Sequence, residues 1–393
     1  MLPDFFKYFA SVIVGFSFVS CGSPKHSADK TSINYFKDLK KDTAVRYAHR
    51  FALSENNYCK VIYVFGHTSP KDTSAIFVIL KDSTLKSLPN SKITLFKSPC
   101  KRIASLSSIY TSMLCALGEQ QHIVAIENID YYNNADILRK FQKGELEELV
   151  RSPKIDVEKT IVLNPDIIFT FGMGNPEKDI NAKIAQADIP MVITVDHLEE
   201  TPLARAEWLK FFGAFTGKEK QADSIFKAVE KNYYELKQIA AGSKNKPTVF
   251  SEIKFGEIWY VPGGKSFAAT LFKDANANYI WRNDNQSGSL HLSFEEVYNK
   301  AHEADYWLNM ALVRSKKELF GQENRYAEFK AYKSGKLFNN IKTVNTKGYS
   351  DYWETGILYP NRVLSDLIQI FHPELKPVIK NDLYYYRKLN ESE

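Results

Sequence analysis

Aromatic, histidine, methionine and arginine side chains follow several of the predicted strands of this sequence. Side chains of this kind bind a bulky planar or anionic ligand by ring stacking and charge pairing. Where strands form a parallel sheet, their carboxyl ends share one edge, and ligands bind outside that edge. Because 13% of the residues are aromatic, packing in a hydrophobic core is the alternative for each of them. The predicted ligand contacts are Tyr110, Tyr131, Tyr132, Met173, His197, Trp259, Trp281, Arg282, His291, Tyr352 and Trp353.

Two predicted helices begin in the same way, each with a capping residue followed two positions later by a glutamate. In the first helix Asp156 precedes Glu158, and in the second Ser293 precedes Glu295. Acidic residues in a first helical turn compensate the helix dipole, which stabilises the helix by roughly 0.3–1 kcal/mol. That local role is one explanation. The matched placement of the glutamates, one in each half of the chain, also indicates a shared docking surface.

The sequence motifs of common enzyme classes are incomplete in this chain. Gly263-Gly264-Lys265-Ser266 resembles the end of a phosphate-binding loop, but Trp259 stands where that motif needs its first glycine. Gly172-Met173-Gly174 lacks the third glycine of a dinucleotide fingerprint, because Glu177 occupies that position. Neither a G-x-S-x-G elbow nor an H-E-x-x-H motif occurs, and the 8 histidines are scattered. We therefore predict no enzymatic activity, no cofactor and no resident metal.

The charge balance argues against a nucleic-acid-binding protein. The chain carries 52 lysines and arginines against 46 aspartates and glutamates, a formal net charge of +6, and these charges are dispersed. Nucleic-acid-binding proteins usually concentrate basic residues in one stripe.

The first residues have the pattern of an export signal. Residues 8–20 are apolar, but the stretch is too short to anchor a helix in a bilayer. The sequence Phe18-Val19-Ser20-Cys21-Gly22 resembles a bacterial lipobox, in which the cysteine becomes the lipidated N-terminus. We predict a signal peptide over residues 1–20, a tether over residues 21–31 and a location in the periplasm or cell envelope, lipid-anchored to the membrane. An ordinary cleaved signal with an incidental cysteine is the alternative.

Three further cysteines leave the disulfide state open. The spacings of Cys59, Cys100 and Cys115 match no zinc motif. An exported compartment permits a bridge between Cys59 and Cys100, and the alternative is three buried thiols.

One long amphipathic helix is the main structural feature of the sequence. Between Lys218 and Ala241, apolar residues recur at three- and four-residue steps, with lysines and glutamates on the other face. Thr216 and Glu219 have the spacing of an N-terminal capping box, and Gly242 marks the end of the helix. At 1.5 Å per residue such a helix spans about 36 Å, which is long enough to join two lobes.

Strands and helices alternate along the chain on both sides of this helix. Alternation of this kind predicts parallel sheets covered by helices. We predict an α/β fold in which two doubly wound lobes are joined by one long rigid helix, with a β-rich N-terminal addition. The predicted segments are 32–100 for the addition, 101–215 for the N-terminal lobe, 216–242 for the interlobe helix and 243–393 for the C-terminal lobe. The predicted elements include strands at 60–65, 74–80, 248–253 and 341–344 and a helix at 175–187.

An ordered set of short motifs resembles one family of transport proteins. The set comprises Lys101-Arg102-Ile103-Ala104-Ser105-Leu106, Leu163-Asn164-Pro165-Asp166, Thr216-Gly217-Lys218, Ser293-Phe294-Glu295 and Phe371-His372-Pro373-Glu374. In this order, over residues 100–375, the chain resembles the periplasmic substrate-binding proteins of ABC importers for ferric siderophores, haem and cobalamin.

The resemblance implies two lobes on a rigid helix, with an iron chelate (ferric siderophore or haem) or cobalamin held in the cleft between them. It also implies delivery of that ligand to an ABC permease with its ATPase, and no catalysis. The family's lobe-surface glutamates, which pair with permease arginines, correspond to Glu158 and Glu295. Residues 32–100 lie outside the family's core.

Two other functions also fit the sequence. A metal-ion-binding or chelate-processing protein of the same fold would use His197 and His291 as ligands. A surface interaction lipoprotein would instead use the β-rich residues 32–100.

Overall fold

The computed structural model describes residues 38–41, 43–66, 72–81, 93–97, 99–151, 154–172, 184 and 186–392. All of them belong to one compact unit, Asp38–Glu393. The predicted signal peptide, Cys21 and the ligand candidate Met173 lie outside the described residues, as does most of the helix predicted at 175–187. Within the described part of the chain, no helix is long and apolar enough to cross a bilayer.

A five-stranded sheet precedes the first lobe and confirms the predicted β-rich addition. In spatial order its strands are β1 (Lys40–Lys41), β2 (Phe51–Glu55), β3 (Cys59–Phe65), β4 (Thr73–Leu80) and β5 (Ile93–Lys97). The first four strands pair antiparallel, whereas β5 lies parallel to β4. The strands predicted at 60–65 and 74–80 correspond to β3 and β4.

The N-terminal lobe is built on a second sheet of five strands, and every pair in it is parallel, as the alternation predicts. In chain order these strands are β6 (Ile103–Ser105), β7 (Ile123–Ile126), β8 (Glu147–Glu148), β11 (Ile167–Phe171) and β12 (Met191–Thr194). A separate antiparallel pair is formed by β9 (Val150–Arg151) and β10 (Lys154–Ile155). The spatial order is β12, β11, β6, β7 and β8. The helices described in this lobe are α1 (Ser108–Ala116), α2 (Ala135–Gln142), α3 (Val157–Leu163), α4 (Pro202–Ala206) and α5 (Leu209–Thr216).

The N-terminal sheet shares one hydrophobic core with this lobe. The rings of Phe77 on β4 and Phe96 on β5 pack edge-on against Phe215 of α5, at centroid distances of 5.8 and 5.0 Å. Phe51 on β2 lies 4.9 Å from the ring of Trp208, between α4 and α5. The addition is therefore an integral layer of the lobe.

The long interlobe helix is α6 (Glu219–Ala241), as predicted. The capping box predicted for α6 is wrong, because Lys218 is the cap residue and its side chain makes no capping hydrogen bond. Thr216 cannot cap α6 because it is still inside α5, where its hydroxyl donates to the carbonyl of Phe212 at 3.0 Å. The buried residues of the predicted apolar stripe include Ala222, Phe226, Val229 and Tyr233.

The C-terminal lobe contains a mixed five-stranded sheet and a small antiparallel one. In chain order its strands are β13 (Thr248–Ser251), β14 (Lys254–Phe255), β15 (Ile258–Pro262), β16 (Asn278–Tyr279), β17 (Ser289–Leu292), β18 (Tyr306–Leu308), β19 (Leu337–Asn339) and β20 (Arg387–Lys388). The larger sheet has the order β16, β13, β18, β19 and β20, in which only β20 is antiparallel to its neighbour. The smaller sheet has the order β14, β15 and β17.

Two strand predictions in this lobe need correction. The strand predicted at 341–344 is wrong, because the sheet uses β19 and the chain then turns away after Asn339, whose side chain accepts the N–H of Met310 at 2.8 Å. The strand predicted at 248–253 ends at Ser251, since Glu252 has a left-handed φ of 67°.

Helices cover the C-terminal sheet and pack against the interlobe helix. They are α7 (Phe267–Asp274), α8 (Phe294–Ala301), α9 (Lys316–Gln322), α10 (Lys330–Lys333), α11 (Asp351–Thr355), α12 (Pro360–Phe371) and α13 (Lys376–Ile379). Buried helices pack on α6 from both lobes, α5 from the N-terminal lobe and α12 from the C-terminal lobe. These contacts hold α6 as a rigid connection.

The cysteines of the described chain are thiols, so the predicted alternative of a bridge between Cys59 and Cys100 is not adopted. Burial raises the pKa of Cys100 and of Cys115 to about 12. Neither side chain is therefore a reactive thiolate at neutral pH.

Candidate ligand-binding cleft

The loops that leave the carboxyl ends of the two parallel sheets meet between the lobes. Asn345, after β19, donates through Nδ2 to the carbonyl oxygens of Asp130 (2.7 Å) and Tyr132 (3.0 Å), which follow β7. The rings of Tyr131 and Tyr349 are in edge contact at 4.7 Å. Because ligands bind at this edge of parallel sheets, we take the interlobe cleft as the candidate site.

A buried carboxyl group of the C-terminal lobe bridges to the N-terminal lobe. Glu354, on α11, accepts the backbone N–H groups of Asn133 (2.6 Å) and Asn134 (3.2 Å). Burial raises the pKa of Glu354 to about 7, with a smaller contribution from the charge of Asp351, although the N–H donors oppose the shift. The lobes are thus held together by a group that titrates near neutral pH.

Asp196 and Arg205 form the polar wall of the cleft in the N-terminal lobe. Asp196 follows β12 and accepts bonds from the hydroxyl of Tyr110 (2.8 Å) and from Nη2 of Arg205 (2.9 Å). The guanidinium of Arg205 also lies 5.4 Å from the ring of Phe267, on α7 of the other lobe. Its Nε is buried without a partner among the described residues. This N–H is a donor that a ligand could use.

A second buried pair lies behind this wall. The hydroxyl of Tyr132 donates to the carboxyl group of Glu127, at the end of β7, and contacts the hydroxyl of Thr111 at 3.1 Å. Burial raises the pKa of Glu127 to about 8, against the lowering effect of the bond from Tyr132. Glu127 is therefore largely protonated and uncharged at neutral pH.

The floor of the cleft in the C-terminal lobe is formed by Glu252, after β13, and Asn309, after β18. Both residues have left-handed backbone, with φ of 67° and 59°. The hydroxyl of Tyr386 donates to Oδ1 of Asn309 at 2.8 Å. Burial raises the pKa of Glu252 to about 8, opposed by a hydrogen bond from the Asn309 side chain.

The structure brings Tyr110, Tyr131, Tyr132, Tyr352 and Trp353 together around this cleft. Tyr131 and Trp353 are the exposed members, at 37% and 54%. Tyr352 is buried beneath Trp353, with ring centroids 4.9 Å apart. The exposed rings can contact a ligand directly, whereas the buried ones form the wall.

Trp259 does not reach the cleft, and the alternative of core packing accounts for it. Its side chain is fully buried, and its Nε1 donates to the carbonyl of Ser251 at 3.2 Å. The rings of Phe250 and Trp307 pack against it. Trp281 is also buried, but its Nε1 has no partner among the described residues.

The remaining predicted contacts are exposed and stand apart from one another. His291 lies on the outer face of β17, 4.8 Å from the ring of Tyr260. Arg282 donates to the carbonyl of Tyr279 at 3.2 Å, and His197 is in the turn after β12. In the described part of the chain, no group of three or more His, Cys, Asp or Glu side chains could hold a metal ion.

Glu158 and Glu295 are exposed in the first turns of α3 and α8, as predicted. The predicted cap residues are confirmed, because Asp156 accepts the N–H of Lys159 and Ser293 forms a capping box. Glu295 is not isolated, since it pairs with Nη1 of Arg325 at 3.0 Å. The docking role of the two glutamates remains a prediction.

Sequence reasoning missed four residues of the cleft, namely Asp196, Arg205, Glu252 and Glu354. A signal exists for Asp196, which lies two residues after the strand Met191–Thr194. The sequence pattern places Glu252 inside the strand predicted at 248–253. Arg205 and Glu354 lie on short helices, where nothing in the sequence indicates which side faces the other lobe.

Comparison with known proteins gives a consistent result. The family model described as periplasmic binding protein matches residues 103–340. An uncharacterised lipoprotein of Methanocaldococcus jannaschii is 29% identical over 286 residues, which is 70% of this chain and 66% of the length of that relative.

Two solved structures have a similar fold. One is a possible iron-binding (periplasmic solute-binding) protein from Staphylococcus epidermidis, with a TM-score of 0.54, 18% identity and coverage of 70% of this chain and 100% of that one. The other is a periplasmic heme-binding protein from Roseiflexus sp. RS-1, with a TM-score of 0.53, 17% identity and coverage of 70% and 98%. At these identities the likeness concerns the fold alone.

Proposed function

The chain belongs to the periplasmic binding protein family, and from that premise we propose that it is the substrate-binding lipoprotein of an ABC importer. It captures a small-molecule ligand in the interlobe cleft and delivers it to a permease with its ATPase. The observation that carries this proposal is the meeting of both sheets' carboxyl ends, through Asn345 and Glu354, around exposed aromatic rings. A lipid anchor at Cys21 would keep the protein at the membrane of the cell envelope.

The proposed cargo is an iron chelate, either a ferric siderophore or haem, or else cobalamin. Two proteins of similar fold are a possible iron-binding protein and a heme-binding protein, which supports this class. The exposed rings of Tyr131 and Trp353 suit a large planar or organic surface. The Nε–H of Arg205, which has no partner among the described residues, can donate to a carboxylate or carbonyl oxygen of the ligand.

The proposed contacts are Arg205 and the residues predicted from the sequence, except for two that the structure places elsewhere; Met173 lies outside the described residues and is retained from the sequence alone. Trp259 is left out because its ring belongs to the core. His291 is left out because it lies on the outer face of the small sheet. The contacts retained are Tyr110, Tyr131, Tyr132, Met173, His197, Trp281, Arg282, Tyr352 and Trp353.

The first test is a titration of the purified chain with ferric siderophores, haemin and cobalamin, followed by tryptophan fluorescence and calorimetry. Saturable binding of one compound at micromolar concentration or below is the expected result. Absence of binding across the panel would contradict the proposal.

Trp353→Ala separates cleft binding from adventitious binding. Loss of a stacking ring should weaken affinity about tenfold. Val378→Ala is the matched control, because Val378 is equally exposed, at 58%, on α13 outside the cleft. Equal affinities of the two variants would exclude the cleft as the binding site.

A further inference from the structure

The floor of the cleft contains two strained residues side by side. The pairing of Ser251 with Leu308 places Glu252 and Asn309 at the ends of adjacent parallel strands. A left-handed conformation costs a residue with a side chain roughly 1–2 kcal/mol. Asparagine adopts this conformation readily, whereas glutamate does so rarely, so Glu252 is the candidate for a functional role.

Glu252 is the acidic member of this floor. It is partly exposed, whereas Tyr279, Tyr352 and Tyr386 around it are buried. Burial raises the pKa of these three hydroxyls, and the nearby carboxyl group of Glu252 raises each further. The carboxyl group thus lies within electrostatic range of three tyrosine hydroxyls and is hydrogen-bonded by the side chain of Asn309.

No cation in the described part of the chain forms an ion pair with Glu252. Arg205, across the cleft, is already paired with Asp196 at 2.9 Å. A carboxyl group in apolar surroundings without a cation is held largely in its protonated form, which agrees with a pKa of about 8. A positive group of a ligand would supply the missing charge.

A buried donor lies beside the same aromatic wall. The ring of Trp281 is 5.7 Å from that of Tyr279, and its Nε1 has no partner among the described residues. An unpaired buried donor costs free energy unless a ligand or solvent satisfies it. Near Tyr279 the floor therefore contains the carboxyl group of Glu252, which has no cationic partner, and the Nε1–H of Trp281, which has no acceptor among the described residues.

From this geometry we infer that Glu252 binds a positively charged nitrogen of the cargo, so that the cargo is a chelate bearing a protonated amine. The inference rests on the proposed function and names its ligand class. The faces of aromatic rings attract cations and repel anions. Arg205, on the opposite wall, already pairs with Asp196, so its charge is partly neutralised and favours an anionic ligand less than a free guanidinium would.

Ferrioxamine B, a ferric hydroxamate with a free primary ammonium, and its N-acetylated form are matched probes with the same metal centre. We would measure both by calorimetry on the full-length chain in a non-ionic detergent. The ammonium form is expected to bind about tenfold more tightly or better, because a charge-assisted bond is lost on acetylation.

Glu252→Gln should abolish this preference, so that the two probes bind with similar affinity, and circular dichroism of the variant checks that it is folded. Glu257→Gln is the matched control, since the side chain of Glu257 is 95% exposed at the neighbouring turn. It should keep the full preference.

The pH dependence gives an independent readout. Binding of the ammonium requires the ionised carboxylate, so its affinity should rise by tenfold or more from pH 6 to pH 8, with release of a proton. Neither the acetylated probe nor Glu252→Gln should show this rise.

Equal binding of the two probes, a preference that survives Glu252→Gln, or binding of haemin or cobalamin alone would each overturn the inference while leaving the proposed function intact. Failure of every chelate to bind would overturn the proposed function itself, and the inference with it.

Discussion

Glu354 joins the two lobes directly, because it accepts two backbone N–H bonds from the opposite lobe. Its surroundings are apolar enough to raise its pKa, yet both carboxyl oxygens are used. Removal of the side chain would leave the N–H groups of Asn133 and Asn134 without their acceptor. The carboxyl group therefore has a structural role at the cleft, distinct from the ligand-binding role inferred for Glu252.

We expect Glu354→Ala to lower the free energy of unfolding by roughly 1–3 kcal/mol, the cost of leaving buried donors unsatisfied. Urea denaturation at pH 8 measures it. Glu303→Ala is the control, because the side chain of Glu303 is 76% exposed, and it should change stability by less than about 0.5 kcal/mol. Similar stabilities of the two variants would contradict the bridging role.

At the scale of elements, the N-terminal sheet is attached to its lobe by two buried carboxylates. Glu207 accepts the backbone N–H groups of Arg46 (3.0 Å), Tyr47 (2.7 Å) and Ala48 (2.9 Å). Glu199 similarly accepts those of residues 49 and 50. Because Arg46 also pairs with Glu230 on α6, the sheet contacts the interlobe helix as well as the lobe. The addition therefore braces the joint between the lobes.

Glu207→Ala should weaken this attachment by about 3 kcal/mol or more, because three N–H groups and the ammonium of Lys210 lose a buried partner. Hydrogen exchange followed by mass spectrometry should show faster exchange in residues 43–66 before the rest of the chain. The exposed Glu200 provides the control substitution. Unchanged protection of residues 43–66 would show that hydrophobic packing alone holds the sheet.

At the scale of the whole molecule, the proposed transport role requires both lobes to dock on a permease. Replacing both Glu158 and Glu295 with Ala should leave ligand affinity unchanged and abolish uptake in cells, since the two exposed glutamates lie in different lobes and are not among the proposed ligand contacts. Calorimetry and an uptake assay measure the two effects. Arg325→Ala is a second test of the same surface. It removes the ion-pair partner of Glu295, leaves that glutamate available to the permease and should not reduce uptake. Loss of ligand affinity in the double variant would refute the docking role.

Buried acids give the whole molecule an unusual pH dependence. The pKa values of Glu127, Glu252 and Glu354 are raised to about 8, 8 and 7, so between about pH 5 and 8 the folded chain holds protons that the unfolded chain has lost. This contribution to stability is fully present below the pKa that these groups have in the unfolded chain. It is lost as the pH rises through the pKa values that they have in the folded chain. With these values in full, the free energy of unfolding should be higher at pH 6 than at pH 9 by roughly 7 kcal/mol. Urea denaturation across this range tests it, and Glu127→Gln should reduce the slope; a stability that rises with pH would contradict it.

The order of elements was predictable because hydrophobic periodicity and turn residues act locally. Residues 219–241 show a helical period without interruption, and α8 begins directly after its predicted cap at Ser293. The apolar runs of β3 and β4 likewise need no tertiary information. The family resemblance also rests on such local motifs, whose order along the chain is specific even where each is short.

Which side chains line the cleft depends on the tertiary structure. Trp259 and Trp353 are both aromatic residues near strand ends, yet one is fully buried and the other 54% exposed, because only packing between elements determines which ring faces solvent. The left-handed turn at Glu252 and the bond from Glu354 to the other lobe depend on contacts between residues distant in the chain. The sequence by itself therefore determined the α/β rhythm, the interlobe helix and the family, which depend on local periodicity. The tertiary structure determined which side chains share the cleft, because that depends on how two separately folded sheets are brought edge to edge.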